Sequence, residues 1–200
     1  MSELLEKLFA IHDSLTKADL AHAFGGAIAL AYCTEEPRGT RDLDVNIFTD
    51  AAKAKTALAA LPDEITVRAK DIAAVVRDGQ ARLWWDDTPI DVFLNNLPLH
   101  DAVAARVVWV PLAGREIPVL DCASLVIFKA FFDRTKDWAD IEAVAQATPE
   151  DIEEAAATIA DLMGEDDPAC QRLASLLSAE LARAQESGAR LHRFDRRSPR

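Results

Sequence analysis

Leu4, Leu5, Leu8, Ile11 and Leu15 recur at helical spacing, so residues 3–17 predict an amphipathic helix. Ala21-His22-Ala23-Phe24 predicts a short strand, broken by Gly25-Gly26 before a second helix from Ala27 to Cys33. After the turn Glu35-Glu36-Pro37-Arg38-Gly39, the segment Asp42 to Phe48 alternates. Leu43, Val45 and Ile47 are apolar, whereas Asp42, Asp44 and Asn46 are polar, the period of a half-buried strand. Ala51 to Ala60 predicts a helix, Glu64 to Arg68 a strand and Asp71 to Arg77 a short helix. Arg82 to Trp85 and Pro89 to Leu94 flank the polar turn Asp86-Asp87-Thr88 and predict a hairpin. Val107 to Leu112 and Glu116 to Val119 repeat that pattern around Ala113-Gly114-Arg115. From Cys122 one helix is expected to run through Thr135 to about Gln146. Helices from Pro149 to Met163 and from about Pro168 to Ala184 follow.

Mixed strands and helices followed by helices alone define an α+β chain, with a mixed sheet flanked by helices and a C-terminal helical segment. The expected organisation is a domain over residues 1–147, a helical hairpin over 148–185 and a basic tail over 186–200. That tail carries five arginines against two acids.

Half of the 200 residues are hydrophobic, enough to bury a core. No apolar run approaches the roughly 18 residues of a membrane span. The acidic, amphipathic start is unlike a secretory signal, so a cytoplasmic location is expected. The net charge of −12 disfavours broad nucleic-acid binding, because such a chain repels a phosphate backbone on average. Cys33, Cys122 and Cys170 form no CxxC pair. They suggest neither a zinc site nor a disulfide framework and are expected to be buried free thiols. The histidines are scattered, and His22, close to the glycine pair, is expected to pack at the edge of a site. The tryptophans are expected in core or rim packing, with Trp138 the best candidate to stack a base.

Alternation places Asp42 and Asp44 on one face of a strand, about 7 Å apart along it. A hard cation such as Mg²⁺ is the natural partner of two carboxylates held that way. Asp91 occupies a second alternating strand, with Ile90, Val92 and Leu94 on its other face. If the two strands are neighbours, three acids converge, and three acids can hold two divalent ions for phosphoryl chemistry. The plainer alternative is a solvated acidic strand face. Gly25-Gly26 stands where strand meets helix, a place where backbone N–H groups and a helix dipole can receive a phosphate, although tight turns also need glycine. Lys129, Asp133, Lys136, Asp137 and Asp140 fall close to one helical face. They suit a nucleotide pocket or, equally, surface ion pairing.

Phe24-Gly25-Gly26-Ala27-Ile28-Ala29-Leu30 with Arg38-Gly39-Thr40-Arg41-Asp42-Leu43-Asp44-Val45 resembles the start of the minimal nucleotidyltransferases of the DNA polymerase beta superfamily. The group most resembled contains the AbiEii-like and MenA-like toxins. Glu116-Ile117-Pro118-Val119-Leu120-Asp121, Lys129 and Arg134-Thr135-Lys136-Asp137-Trp138-Ala139-Asp140-Ile141 extend the resemblance, which covers about residues 20–145. It implies a polymerase beta-like fold, a nucleoside triphosphate donor, and Mg²⁺ or Mn²⁺ as cofactor. Asp42, Asp44 and Asp91 would be catalytic metal ligands, with Asp91 also serving to activate an acceptor hydroxyl. Gly25, Gly26, Arg41, Lys129, Lys136, Asp137 and Asp140 would bind the nucleotide. Two features depart from the pattern. Ala27 stands where the superfamily often has serine, and the spacing from Gly26 to Asp42 is longer than in the most compact members.

The resulting expectation is transfer of a nucleoside monophosphate to a hydroxyl of a protein, a small molecule or a tRNA, with a toxin's cognate antitoxin as a possible partner. The acidic balance sets tRNA behind the other acceptors. The alternative is a non-catalytic module of the same fold, acting as antitoxin or assembly partner. A metal-dependent hydrolase is disfavoured by the scattered histidines.

Overall fold

The computed structural model describes residues 2–97 and 99–195. The chain divides into two compact units, Met1–Asp121 and Cys122–Arg200. The division therefore falls at the helix that begins at Cys122, not near residue 147. The expected α+β class holds, with the sheet in the first unit.

The first unit opens with helix α1 (Glu3–Lys17), capped by the Ser2 hydroxyl, which accepts from the Leu5 N–H at 3.4 Å. Leu8, Ile11 and Leu15 are fully buried, the stripe that the spacing defines. Then come β1 (His22–Phe24), α2 (Gly26–Thr34), β2 (Leu43–Asp50), α3 (Ala54–Leu58) and α4 (Ala69–Asp78). Strands β3 (Gln80–Trp85) and β4 (Thr88–Asn95), helix α5 (Leu99–Ala104), and strands β5 (Val108–Leu112) and β6 (Arg115–Val119) complete it. The described strands form one six-stranded sheet in the order β3-β4-β2-β1-β6-β5. The pairs β2–β4 and β1–β6 are parallel, and β1–β2, β3–β4 and β5–β6 are antiparallel.

Burial follows the alternation. Leu43, Val45 and Ile47 of β2 and Ile90, Val92 and Leu94 of β4 are at most 1% exposed, while Asp44 and Asp91 lie on the opposite, half-buried faces. Burial of one apolar face fixes the register, because a slip of one residue would turn every side chain over. Helix α1 is tied to the β3–β4 turn by buried Lys7. Its ammonium donates to the Trp85 carbonyl at 3.2 Å and the Thr88 hydroxyl at 2.9 Å, and pairs with Glu3 and Asp86.

The second unit contains α6 (Cys122–Phe132), α7 (Thr135–Ala147), α8 (Pro149–Met163) and α9 (Pro168–Asp195), which pack on one another.

Several expectations are corrected. Glu64–Arg68 forms no strand; it contributes one isolated bridge, Thr66 to Trp84, because Pro62 and the following turn leave too short an extended run. The helix expected from Cys122 to Gln146 is interrupted. Asp133 takes a left-handed conformation at φ 50°, and Asp137 restarts the chain as a helix by accepting from the Arg134 N–H at 3.3 Å. Helix α5 was not anticipated, and α9 continues to Asp195, into the segment expected as a tail. Residues 196–200 of that tail lie outside the described residues. Cys170 is a buried free thiol, but Cys33 and Cys122 are disulfide-bonded rather than free. Whether a thiol is free is decided in the folded chain, which sequence spacing does not show. No described helix is long and apolar enough to cross a membrane.

His22 is buried at the start of β1. Its Nδ1–H donates to the Leu20 carbonyl at 2.8 Å, which leaves Nε2 to accept from His12 Nδ1 at 2.9 Å. Both ring nitrogens of His22 are engaged within the fold, so it is a core residue. Burial holds His12 and His22 below the usual histidine range, as it does His100. The unfolded chain therefore binds protons at these sites more readily than the folded one. Stability should be complete above about pH 6.5 and fall as the pH drops below it. Urea unfolding at pH 7.5 and 5.5 checks this: the wild type should lose stability at the lower pH, and a His12→Gln, His22→Asn variant should lose less.

Candidate active site

The parallel pairing of β2 with β4 sets Asp44 directly beside Asp91 as register partners, with Leu43 beside Ile90 and Val45 beside Val92. Neighbouring strands lie about 4.8 Å apart, so the two carboxylates leave the sheet side by side on the same face. Asp42 precedes β2 by one residue and is half-buried. Its Oδ1 accepts from the Thr40 hydroxyl at 2.6 Å.

The glycine pair stands against these acids. The Gly25 N–H donates to the Asp44 carbonyl at 2.9 Å, which seats the end of β1 on β2. Gly26 opens α2 with φ 51°. A Cβ there would lie 1.9 Å from Asp44 Oδ2, and one on Gly25 would come within 3.1 Å of Asn46 Nδ2 and 3.2 Å of Leu120 Cδ1. Glycine is thus required by the left-handed backbone and by the close approach of the Asp44 carboxylate. That approach also sets a negative charge at the helix N-terminus, which its dipole favours.

One member of the site was missed. Arg82 of β3 pairs with Asp91 across the hairpin, its Nε and Nη2 donating to Oδ1 and Oδ2 at 2.7 Å each. Its guanidinium is held more firmly protonated than usual, first by the hydrogen bonds and charge of Asp91 and then by the charges of Asp42 and Asp44. The signal was present in the sequence. With Asp86-Asp87 as the turn, Trp85 pairs with Thr88, and counting outward pairs Arg82 with Asp91.

A metal site can be tested against this geometry. The oxygen donors of Asp42 and Asp44 suit a hard divalent cation. Among the described residues, however, no three His, Cys, Asp or Glu side chains are grouped so as to hold a metal ion. Both Asp91 oxygens are directed to Arg82 instead. Asp42 and Asp44 offer carboxylate oxygens of the kind such a cation takes, and Asp91 is engaged by Arg82.

Arg41 is exposed, beside Asp42 in sequence. The remaining candidates lie in the second unit. There Lys129, Asp137 and Asp140 are 8%, 1% and 4% exposed. The Lys129 ammonium donates to Asp140 Oδ2 at 2.6 Å and lies 3.7 Å from Asp137 Oδ1. Arg134 holds Asp137 from the other side, with Nε at 2.5 Å. Burial pushes the Asp137 carboxyl up, but Arg134 and Lys129 outweigh it and hold it below the usual carboxylate range. Lys136 is exposed and stands apart from this cluster, because the break at Asp133 resets the helical face. Trp138 is buried. Its Nε1–H donates to Asp133 Oδ1 at 2.6 Å, and the Arg172 guanidinium lies 3.8 Å above its ring. That contact makes Trp138 a packing residue rather than the base-stacking exception.

No protein-family model and no curated protein matches the chain. Among solved structures, the antibiotic-resistance factor ANT(2'')-Ia in solution is 13% identical, with 95% of this chain and 97% of that chain covered and a TM-score of 0.49. JHP933 from Helicobacter pylori is 16% identical, with coverage of 98% and 99% and a TM-score of 0.45. An antigenic nucleotidyltransferase-like protein from Paracoccidioides brasiliensis is 13% identical, with coverage of 90% and 95% and a TM-score of 0.46. At these values the likeness carries no argument about activity.

Gly26→Ala should destabilise the chain by at least about 1–2 kcal/mol, the cost of a left-handed alanine before the clash with Asp44 is added. A thermal melt compared with an alanine substitution at exposed Gly39 measures it. Lys129→Met should destabilise the fold at neutral pH, by at most about 3–5 kcal/mol, because it removes the buried cation that pairs with Asp140 and Asp137. The depressed Asp137 pKa stabilises the fold above the unfolded carboxylate value near 4, and this is lost as the pH falls through the folded value. The penalty of Lys129→Met should therefore shrink in acid, as denaturant titrations at pH 7 and pH 4 would show.

Proposed function

We propose that the chain is a nucleotidyltransferase that moves a nucleoside monophosphate from a nucleoside triphosphate to an acceptor hydroxyl. The observation that carries this reading is the placement of Asp44 and Asp91 as register partners beside the Gly25-Gly26 turn. Two carboxylates brought side by side next to a glycine turn at a helix start are groups that can meet a cation and a phosphate.

Asp42 and Asp44 would hold a magnesium ion, which when bound supplies positive charge against the donor phosphates. The chain's own groups do the rest. Backbone N–H groups at the start of α2 bind the triphosphate, since Ala27 offers no hydroxyl there. Asp91 keeps lone pairs after Arg82 is satisfied and takes the proton of the acceptor hydroxyl. The freed oxygen forms a bond to the α-phosphorus, the bond from that phosphorus to the bridging oxygen breaks, and pyrophosphate leaves with the electron pair. Catalysis is positioning and charge compensation.

A chain of net charge −12 is a poor partner for tRNA, which favours a protein or small-molecule acceptor. The resemblance to the AbiEii-like and MenA-like toxins extends the proposal to a toxin with a cognate antitoxin.

Calorimetry with each of the four triphosphates and Mg²⁺ should show binding of at least one. With α-phosphate-labelled triphosphate and cell lysate, the wild type should label an acceptor. Asp44→Ala and the closer Asp44→Asn should reduce labelling by about 10²–10³-fold, the usual cost of a lost charge-stabilising group. Equal labelling by wild type and both variants would exclude the mechanism.

A further inference from the structure

A cleft of about 350 Å³ opens at the N-terminal end of β1, and its walls include Asp19, Leu20, His22, Phe48, Val107 and Trp109. Gly25-Gly26 follows the other end of that three-residue strand, about 10 Å along it, so the cleft is separate from Asp44 and Asp91. Its volume suits a small molecule. Most of the wall is apolar, and the charge it carries is negative. Asp19 ends α1 with φ 55°, its N–H donating to the Thr16 carbonyl at 3.0 Å. Among the described residues no group pairs with its carboxylate. The C-terminal end of α1 adds the negative end of a helix dipole. Lys17 of the last turn is exposed and forms no part of the wall. His22 brings no positive charge at neutral pH, since burial holds it below the usual histidine range. Trp109 stands on β5 and is 58% exposed, yet it is braced from behind. Its ring meets that of His12 in a T-shape at 5.8 Å, His12 is bonded to His22 at 2.9 Å, and His22 to the Leu20 carbonyl at 2.8 Å. The buried histidine pair thus holds an exposed indole in place beside an unpaired carboxylate.

We propose that this cleft is a second binding site, for a small organic cation: an ammonium group on an apolar body, its charge between the Trp109 ring and the Asp19 carboxylate. An indole attracts a cation through the negative face of its π-system, and a carboxylate beside it adds direct charge pairing. Leu20, Phe48 and Val107 offer the apolar body its contacts. A neutral ligand of the same shape forgoes both attractions. An anion faces the carboxylate and the helix end together and is repelled. The bracing of Trp109 means that little side-chain freedom is lost on binding. The site does not depend on the transfer reaction.

Titration of the full chain with phenethylammonium at neutral pH, with the indole N–H resonances followed by NMR, tests this directly. The Trp109 signal, identified by its loss in Trp109→Leu, should shift to saturation. The signal of Trp84, an exposed indole on the opposite edge strand, should not. Phenethyl alcohol, the same body without the charge, should bind about tenfold more weakly, a difference of about 1.4 kcal/mol. Asp19→Asn should weaken phenethylammonium binding about tenfold and leave phenethyl alcohol binding unchanged. Asparagine tolerates the left-handed backbone at this position, so that variant keeps the fold. Trp109→Leu, followed through the ligand's own resonances, should lose the preference for the ammonium. No saturable shift at Trp109, an equal response at Trp84, equal affinity for ammonium and alcohol, or wild-type binding by Asp19→Asn would each overturn the proposal.

Discussion

The parallel pairing of β2 with β4 is the constraint on which the site depends. It is held by apolar faces, with Leu43, Val45 and Ile47 on one strand and Ile90, Val92 and Leu94 on the other. Because the side-chain period is two, burying those residues forces Asp44 and Asp91 onto the opposite faces, side by side. The core thus brings two carboxylates together, a like-charge contact that β2 and β4 by themselves do not relieve. Relief comes from β3, whose hairpin register sets Arg82 across from Asp91. Hydrophobic packing fixes the geometry, and the geometry then dictates where a positive charge is needed.

The second dependence runs through β1. Its antiparallel pairing with β2 brings Phe24 opposite Val45, and the Gly25 N–H to the Asp44 carbonyl. The chain must then turn into α2 within one residue, over the Asp44 carboxylate. A side chain at Gly26 would occupy the place of Oδ2, so glycine is set by the acid as much as by the turn. The two features that were separate in the sequence, a glycine pair and an acidic strand, are one packing unit.

Much of this was legible before any coordinates. Period-two alternation found β2 and β4 and assigned their faces, because one face of each strand is buried. The glycine break marked the end of β1 for the same local reason. Strand adjacency was not legible, since β2 and β4 are separated by two helices and an edge strand and their pairing is a tertiary fact. Arg82 was legible in principle, because hairpin register follows from turn length. The break at Asp133 escaped because left-handed aspartate leaves no apolar gap in the helical pattern. Glu64–Arg68 read as a strand because local propensity there is not contradicted until sheet pairing is known.

Burial separates the two charged clusters in kind. Asp42, Asp44 and Asp91 are half-buried. Lys129, Asp137 and Asp140 are almost wholly enclosed and pair with one another, and Arg134 pairs with Asp137. Enclosed ion pairs of this kind lose hydration that their attraction only partly returns, so they specify an arrangement more than they stabilise it. Their evident effect is local. Asp137 restarts the helix after the Asp133 break, and Lys129 and Asp140 lock α6 to α7 at that break. The Lys-Asp-Asp pattern that suggested a nucleotide pocket therefore has a sufficient explanation in the packing of its own unit, and the weight of the functional reading rests on the sheet.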